Sequence, residues 1–350
     1  MILGQILTGY LGTYTKKDSE GVYRFTFDTD QEKVTAVDAV GHVDNPTYVT
    51  PSSDGQFLYA VSKEGDEGGV TAFKIDPDTK ALTQLNSVKK AGSPPCHVSV
   101  NKANTLLVTA NYHTKEIISY HLNDDGSIKG IADIKEHDGN GPHERQEKPH
   151  MHFSGFTPDE RYVIAIDLGS DEITSYLVEA DGTLTKEAVF VAPRGSGPRH
   201  IAFHPNKKIA YVMTELTSVV LTLAYDENTG VFTLINTIKA IPDTHTTVND
   251  GSAVHVTKDG KFVYVGNRGH NSVTIFKVNQ SDFSIELVDY QSSLGDWPRD
   301  FALTPDDQYL ICSNQNSGTL TVFERDEETG KLTALQEDIT APEAVCVKFL

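Results

Sequence analysis

The stretch LTVFERDEETGKL (320–332) reads as an alternating apolar/polar strand, a tight Asp- and Gly-bearing turn, and the first residue of a returning strand. It recurs as VTAFKIDPDTKAL (70–82) and VLTLAYDENTGVF (220–232). The strand half alone recurs from Val22 (VYRFTFDTD), Ile117 (IISYHLN), Ile173 (ITSYLVE) and Val273 (VTIFKVN). The seven copies begin 47 to 56 residues apart, so they fill the 350-residue chain. A turn and a second apolar run precede many of them: SSDGQFLYAV (52–61), FTPDERYVIAI (156–166), FHPNKKIAYVM (203–213), VTKDGKFVYV (256–265) and LTPDDQYLICS (303–313). Asp-Gly and Pro-Asp are hairpin-turn chemistry. Four antiparallel strands repeated seven times, with no amphipathic helix, predict an all-β, seven-bladed β-propeller forming a single domain over 1–350.

The two ends fit one blade. The chain starts at a second strand, QILTGYLGT (5–13), and supplies three strands, whereas PEAVCVKFL (342–350) has the pattern of a first strand. The expected last blade therefore joins residues near Leu7–Val40 to Ala344–Phe349, a closure that pairs edges otherwise left open.

Composition narrows the function. Thirty Lys and Arg against 49 Asp and Glu give a net charge of −19, with no basic stripe to offset it, so a nucleic-acid partner is not expected. No apolar run approaches the roughly 18 residues of a membrane span. The start MILGQILTGYLG lacks the basic region and cleavage site of a secretory leader, which makes the cytoplasm the expected location. Cys96, Cys312 and Cys346 are odd in number and lack CxxC spacing, which argues for reduced thiols rather than disulfides or zinc. No GxGxxG, P-loop or GxSxG motif occurs, which counts against nucleotide cofactors and serine-hydrolase chemistry.

In an up-and-down blade the segments entering the first strand and those leaving the second share one face. Those segments are irregular: DNPTYV (44–49), GSPPCHV (92–98), KPHMHF (148–153), GSGPRHIAF (195–203), DGSAVHV (250–256) and GDWPRDF (295–301), with ANYHTK (110–115), IDLGSD (166–171), MTELTS (213–218), GNRGHN (266–271) and SNQNSG (313–318). They carry Arg199, Arg268 and Arg299 of only eight arginines, and His97, His113, His150, His152, His200, His255 and His270. A pocket at the channel mouth is the expectation. The long polar segment 136–150 enters on the same face and is a candidate lid.

His152 is the candidate general base, and His150, two residues away along a strand, is expected on the same side. As a metal pair they lack a third ligand at clear spacing. The arginines suit a bidentate phosphate or carboxylate site. Glu215 and Asp167 follow second strands, where an acid can orient a base or an arginine. Asn111, Asn267 and Asn314 occupy the corresponding position elsewhere; they are candidate substrate contacts, although Asn there more often closes a turn.

The loops closely resemble the seven-bladed propeller lactonase family, which includes bacterial 6-phosphogluconolactonases and fungal carboxy-cis,cis-muconate cyclases. The motifs are GTYT (12–15), NPTYV (45–49), PPCHVSV (94–100), ANYH (110–113), GNGPHERQEKPHMH (139–152), GSGPRHIAFHPN (195–206), TEL (214–216), GNRGHNSV (266–273), WPRDFAL (297–303) and SNQNSG. The resemblance implies a centre of one histidine, two arginines and a glutamate, matching His152, Arg199, Arg268 and Glu215. It departs at Ala253, where an acid is usual, and at Thr214, where Asn is usual. It implies hydrolysis of a phosphorylated sugar δ-lactone, 6-phosphogluconolactone foremost, in the pentose phosphate pathway. Arg299, His97, His150 and His200 join the substrate-binding candidates, and the scheme needs no metal or organic cofactor. The alternatives are a muconate-type cycloisomerase on the same fold and a non-catalytic propeller that binds a protein or peptide. Oligomeric state is not legible.

Overall fold

The quoted stretch folds as its turn chemistry dictates. In the computed structural model, which describes residues 4–350, Asp326 Oδ1 accepts bonds from the backbone N–H of Glu328 (3.0 Å) and Thr329 (2.7 Å). Gly330 then takes the left-handed conformation (φ 73°), as Gly230 does in the second copy. In the first copy Lys80 adopts it (φ 58°) at the steric cost a side chain imposes there. The first three residues of MILGQILTGYLG, and that end of the 1–350 reading, lie outside the described residues.

Seven four-stranded sheets result, all their pairings antiparallel. In six of them the strands run in chain order from the axis outward, as in Pro198–Phe203, Ile209–Thr214, Val219–Tyr225 and Phe232–Lys239. The ring closes as the repeat predicts: Ala344–Phe349 is the inner strand of the sheet whose others are Ile6–Thr13, Val22–Asp28 and Lys33–Gly41. No helix occurs among the described residues.

Burial explains the order. Second strands such as Tyr162–Asp167 are buried at every residue because blades flank them on both sides, whereas outer strands such as Leu184–Val191 alternate exposed and covered positions. Many second strands carry a buried tyrosine that ties its blade to the next. The hydroxyls of Tyr162, Tyr211 and Tyr264 donate to the backbone carbonyls of Asn228, Phe283 and Gly330, at 2.9, 3.1 and 2.7 Å. Tyr10 makes the same bond to Lys80 across the closing blade (2.9 Å). Each ring buries its apolar body and satisfies its polar tip, so the blades hold one another in a fixed angular position.

Candidate active site

Several inner strands share a defect at their channel end. Met151 and Phe153 pair with Asp167 and Ile166, which leaves His152 as an extra residue; Arg199 between Pro198 and His200, Arg299 between Pro298 and Asp300, and Val345 between Ala344 and Cys346 are extra in the same way. A bulge re-aims the unpaired residue's side chain, and here each is turned to the axis. His152 and Arg299 line both an axial cavity of about 370 Å³ and the narrow throat beneath it, while Arg199 and Val345 line the throat.

Glu215 is the electrostatic centre. Only 3 % exposed, it accepts hydrogen bonds from Arg199 Nε (3.0 Å), Arg268 Nη2 (2.7 Å) and Arg145 Nη2. Burial alone would raise its pKa, but the guanidiniums of Arg268, Arg199 and Arg145 hold it well below the usual carboxylate range. Arg268 also donates to the Gly251 carbonyl (2.8 Å) and lies over the Trp297 ring (5.7 Å), and Arg145 Nη1 bonds Asp250 (2.9 Å). Removing the Glu215 carboxylate would leave three guanidiniums facing one another, and losing one partner of a buried ion pair costs about 3–5 kcal/mol.

His152 is buried with Nδ1 unbonded, and burial followed by the charge of Arg199 holds it well below the ordinary imidazole value. It is therefore a neutral base at physiological pH. Cys96, beside it in the cavity wall, is inert because burial pushes its thiol up to about 11.

Several expected residues sit elsewhere. His150 does not share the face of His152, because the bulge breaks the alternation: its Nδ1 lies 3.0 Å from the Tyr112 carbonyl, its Nε2 3.2 Å from Glu147, and its ring stacks on Tyr112 at 4.1 Å. It supports the cavity wall without lining the cavity. His97 packs between Tyr48 (4.1 Å) and Phe153 (4.3 Å), a layer deeper, in the lower opening of the channel; His200 reaches both that opening and the throat.

Asp167, Asn111, Asn267 and Asn314 are one residue out of phase with the cavity. Asp167 accepts the backbone N–H of His150 (2.7 Å) and Gly169 (2.8 Å); Asn111 accepts those of His113 and Thr114. Asn267 donates to the Ala240 carbonyl (3.1 Å), and Asn314 to Thr321 (3.1 Å). All four close loops. In three blades the next residue along the chain faces the cavity instead: Tyr112 after Asn111, Glu215 after Thr214, and Arg268 after Asn267. A single step along a strand reverses its side-chain direction.

The expectations omitted Arg145, Lys16, Lys63, Tyr14 and Tyr112, which all line the cavity. Arg145 was findable, as one of eight arginines inside the GNGPHERQEKPHMH segment. That segment is anchored over the channel by Gln146, whose amide donates to the Leu168 carbonyl (2.8 Å) and to Asp171 (2.7 Å). Asp171 in turn accepts the N–H groups of Gly195 and Gly197, and Gly197 (φ 60°) packs so closely on Leu216 that a Cβ would clash. This shapes the entry to Arg199.

With this geometry in place, the comparisons are specific. A family model described as lactonase, 7-bladed beta-propeller, matches residues 8–349. A Bacillus subtilis protein named 6-phosphogluconolactonase is 46% identical over 342 residues, 98% of each chain. The crystal structure of a protein from Lactobacillus plantarum has a TM-score of 0.96 at 39% identity, covering 99% of this chain and 100% of its own. The structure of the Pseudomonas aeruginosa periplasmic gluconolactonase has a TM-score of 0.93 at 29% identity, covering 99% of both chains.

Proposed function

The chain belongs to the seven-bladed β-propeller lactonase family, and from that membership we propose that it is a 6-phosphogluconolactonase, opening the phosphorylated δ-lactone to its hydroxy acid. One observation carries the substrate: in a protein of net charge −19, the axial cavity is lined by Arg145, Arg268, Arg299, Lys16 and Lys63 against the single carboxylate of Glu215. An uncharged lactone has no use for that many cations. A phosphate and a developing oxyanion do.

The roles divide among the groups of the cavity. Arg299 bonds only the neutral Gln315 side chain (3.1 Å) and stacks over Tyr14, and it forms no ion pair among the described residues, nor do Lys16 and Lys63. These three groups hold the phosphate. His152 takes a proton from water as the oxygen attacks the lactone carbonyl. Arg268, fixed by Glu215, stabilises the oxyanion. Collapse of the tetrahedral intermediate breaks the ring C–O bond, and the imidazolium returns its proton to the departing alkoxide, which leaves a neutral base and a carboxylic acid that then loses its proton to solvent. Glu215 positions the arginines and takes no part in proton transfer, because they hold it ionised. A phosphorylated substrate also favours the cytoplasm as the site of action.

Turnover of 6-phosphogluconolactone and of plain gluconolactone by the wild type and Arg299→Ala tests this, with spontaneous opening subtracted. The expected result is a wild-type preference for the phosphorylated ring, and a loss in Arg299→Ala of about 1–3 kcal/mol for that substrate alone. Equal losses on both substrates would assign Arg299 to structure. Preference for a dicarboxylic muconolactone would assign the chain to cycloisomerase chemistry.

A further inference from the structure

The throat beneath the cavity gathers polar atoms that the reaction scheme leaves unexplained. His152 Nδ1, His200 Nε2 and Arg199 Nη1 are each sealed from solvent with no bonding partner, and all three residues line this one space. They are 6 %, 8 % and 2 % exposed. Orphaned buried polar atoms are rare, so three around a single space point to a polar occupant. The space measures about 10 Å³, which matches one water and is too small for a phosphate or a lactone. We propose that the throat is a single-water site, and that through this water His200 is a positioning residue that fixes the tautomer of His152. The proposal rests on the reading of His152 as the base.

The hydrogen-bond count leads there. His152 Nε2 is the ring nitrogen not sealed from solvent, so a base acting toward the cavity needs a bare Nε2 and its proton on Nδ1, inside the throat. Arg199 Nη1 can only donate. Two donors therefore point into one small space and need lone pairs. Water offers two, one for His152 Nδ1–H and one for Arg199 Nη1–H, and returns a hydrogen to the lone pair of His200 Nε2. His200 remains neutral for this, held well below the ordinary imidazole value by burial and then by Arg199. Its ring lies edge-on to His152 at 5.3 Å. If Arg199 donated directly to His152 Nδ1 instead, the proton would be driven to Nε2 and the base would face the substrate already protonated.

The position tolerates an aromatic ring, because Phe153 and Tyr48 occupy the corresponding step of other inner strands. His200→Phe is therefore a fair test. The full-length protein is labelled with ¹⁵N in its imidazoles, and long-range ¹H–¹⁵N spectra are assigned with His152→Gln and His200→Phe. The expected result is His152 protonated on Nδ1 in the wild type at neutral pH. His200→Phe shifts the proton toward Nε2 and lowers kcat by at least about tenfold, as a misplaced base proton does, with KM within about twofold. His200→Gln, whose carbonyl accepts a bond, retains the Nδ1–H form and most of the turnover. A wild-type His152 protonated on Nε2 overturns the proposal whether or not the chain opens lactones, and so does a His200→Phe protein with tautomer and turnover unchanged. A wild-type Nδ1–H form that is lost in His200→Phe supports it even if His152→Gln stays active; that activity would sink only the base assignment.

Discussion

His152 has an environment that favours the neutral imidazole from two sides: burial removes water from the ring, and Arg199 adds a neighbouring positive charge. His152→Gln keeps approximate size but cannot titrate, so turnover should fall about 10²- to 10⁴-fold. The fluorescence of Trp297, the chain's one tryptophan, should report an unchanged fold. Near-normal turnover would remove His152 from the mechanism. The pH profile is a second readout. Protonation abolishes the base, so a lowered pKa keeps the rate flat through neutrality and places the acid-side fall below the ordinary histidine value near 6.5. Arg199→Gln removes one charge that disfavours the imidazolium, so the acid limb should move to higher pH, whatever happens to the maximal rate. A limb that stays or moves down would show that Arg199 does not act on His152.

At the scale of elements, two devices make the site. Inner-strand bulges present His152, Arg199 and Arg299 from three blades to one axis, and in three blades the loop-closing residue of the second strand is followed by one that turns inward, as Tyr112, Glu215 and Arg268 do. The closing strand Ala344–Phe349 is the third essential element. It pairs with Ile6–Thr13 and places Val347 N–H on Asp300 (2.9 Å); Glu343, just before it, binds the N–H groups of Lys16 and Lys17 next to the cavity rim. Deleting residues 343–350 strips the inner edge of one blade and leaves its backbone groups unpaired. The expected result is loss of cooperative unfolding together with loss of activity, followed by Trp297 fluorescence in urea and by size-exclusion chromatography. A truncated protein with unchanged melting would refute this closure.

For the molecule as a whole, the polar axis sets a pH limit on stability. His97, His152 and His200 are all buried and all held well below 6.5, chiefly by burial. When the chain unfolds, these imidazoles take up protons that the folded state refuses. The unfolded state then binds more protons, so stability is complete above about 6.5 and falls as pH drops below that value. Three such groups give a limiting slope of roughly 4 kcal/mol per pH unit. Urea unfolding between pH 8 and 5 measures it, and a flat profile would mean that these rings are not buried neutral in solution. Glu215, whose folded pKa is depressed, adds a loss of the same sign at still lower pH.

The repeat in the sequence by itself determined the architecture: the blade count, the strand order within a blade and the union of the two ends follow from period-2 patterns and turn residues, which are local signals. The loop motifs likewise placed His152, Arg199, Glu215, Arg268 and Arg299 on the channel. Side-chain direction was another matter. Whether Asn111 or the residue after it faces the cavity depends on a single strand step, and whether His150 accompanies His152 depends on a bulge; pairing with a neighbouring strand sets both. Tertiary structure alone brought Arg145 onto Glu215, 70 residues away in the chain, and set Arg199, His152 and His200 around one throat, because only ring closure makes neighbours of residues that no local pattern connects.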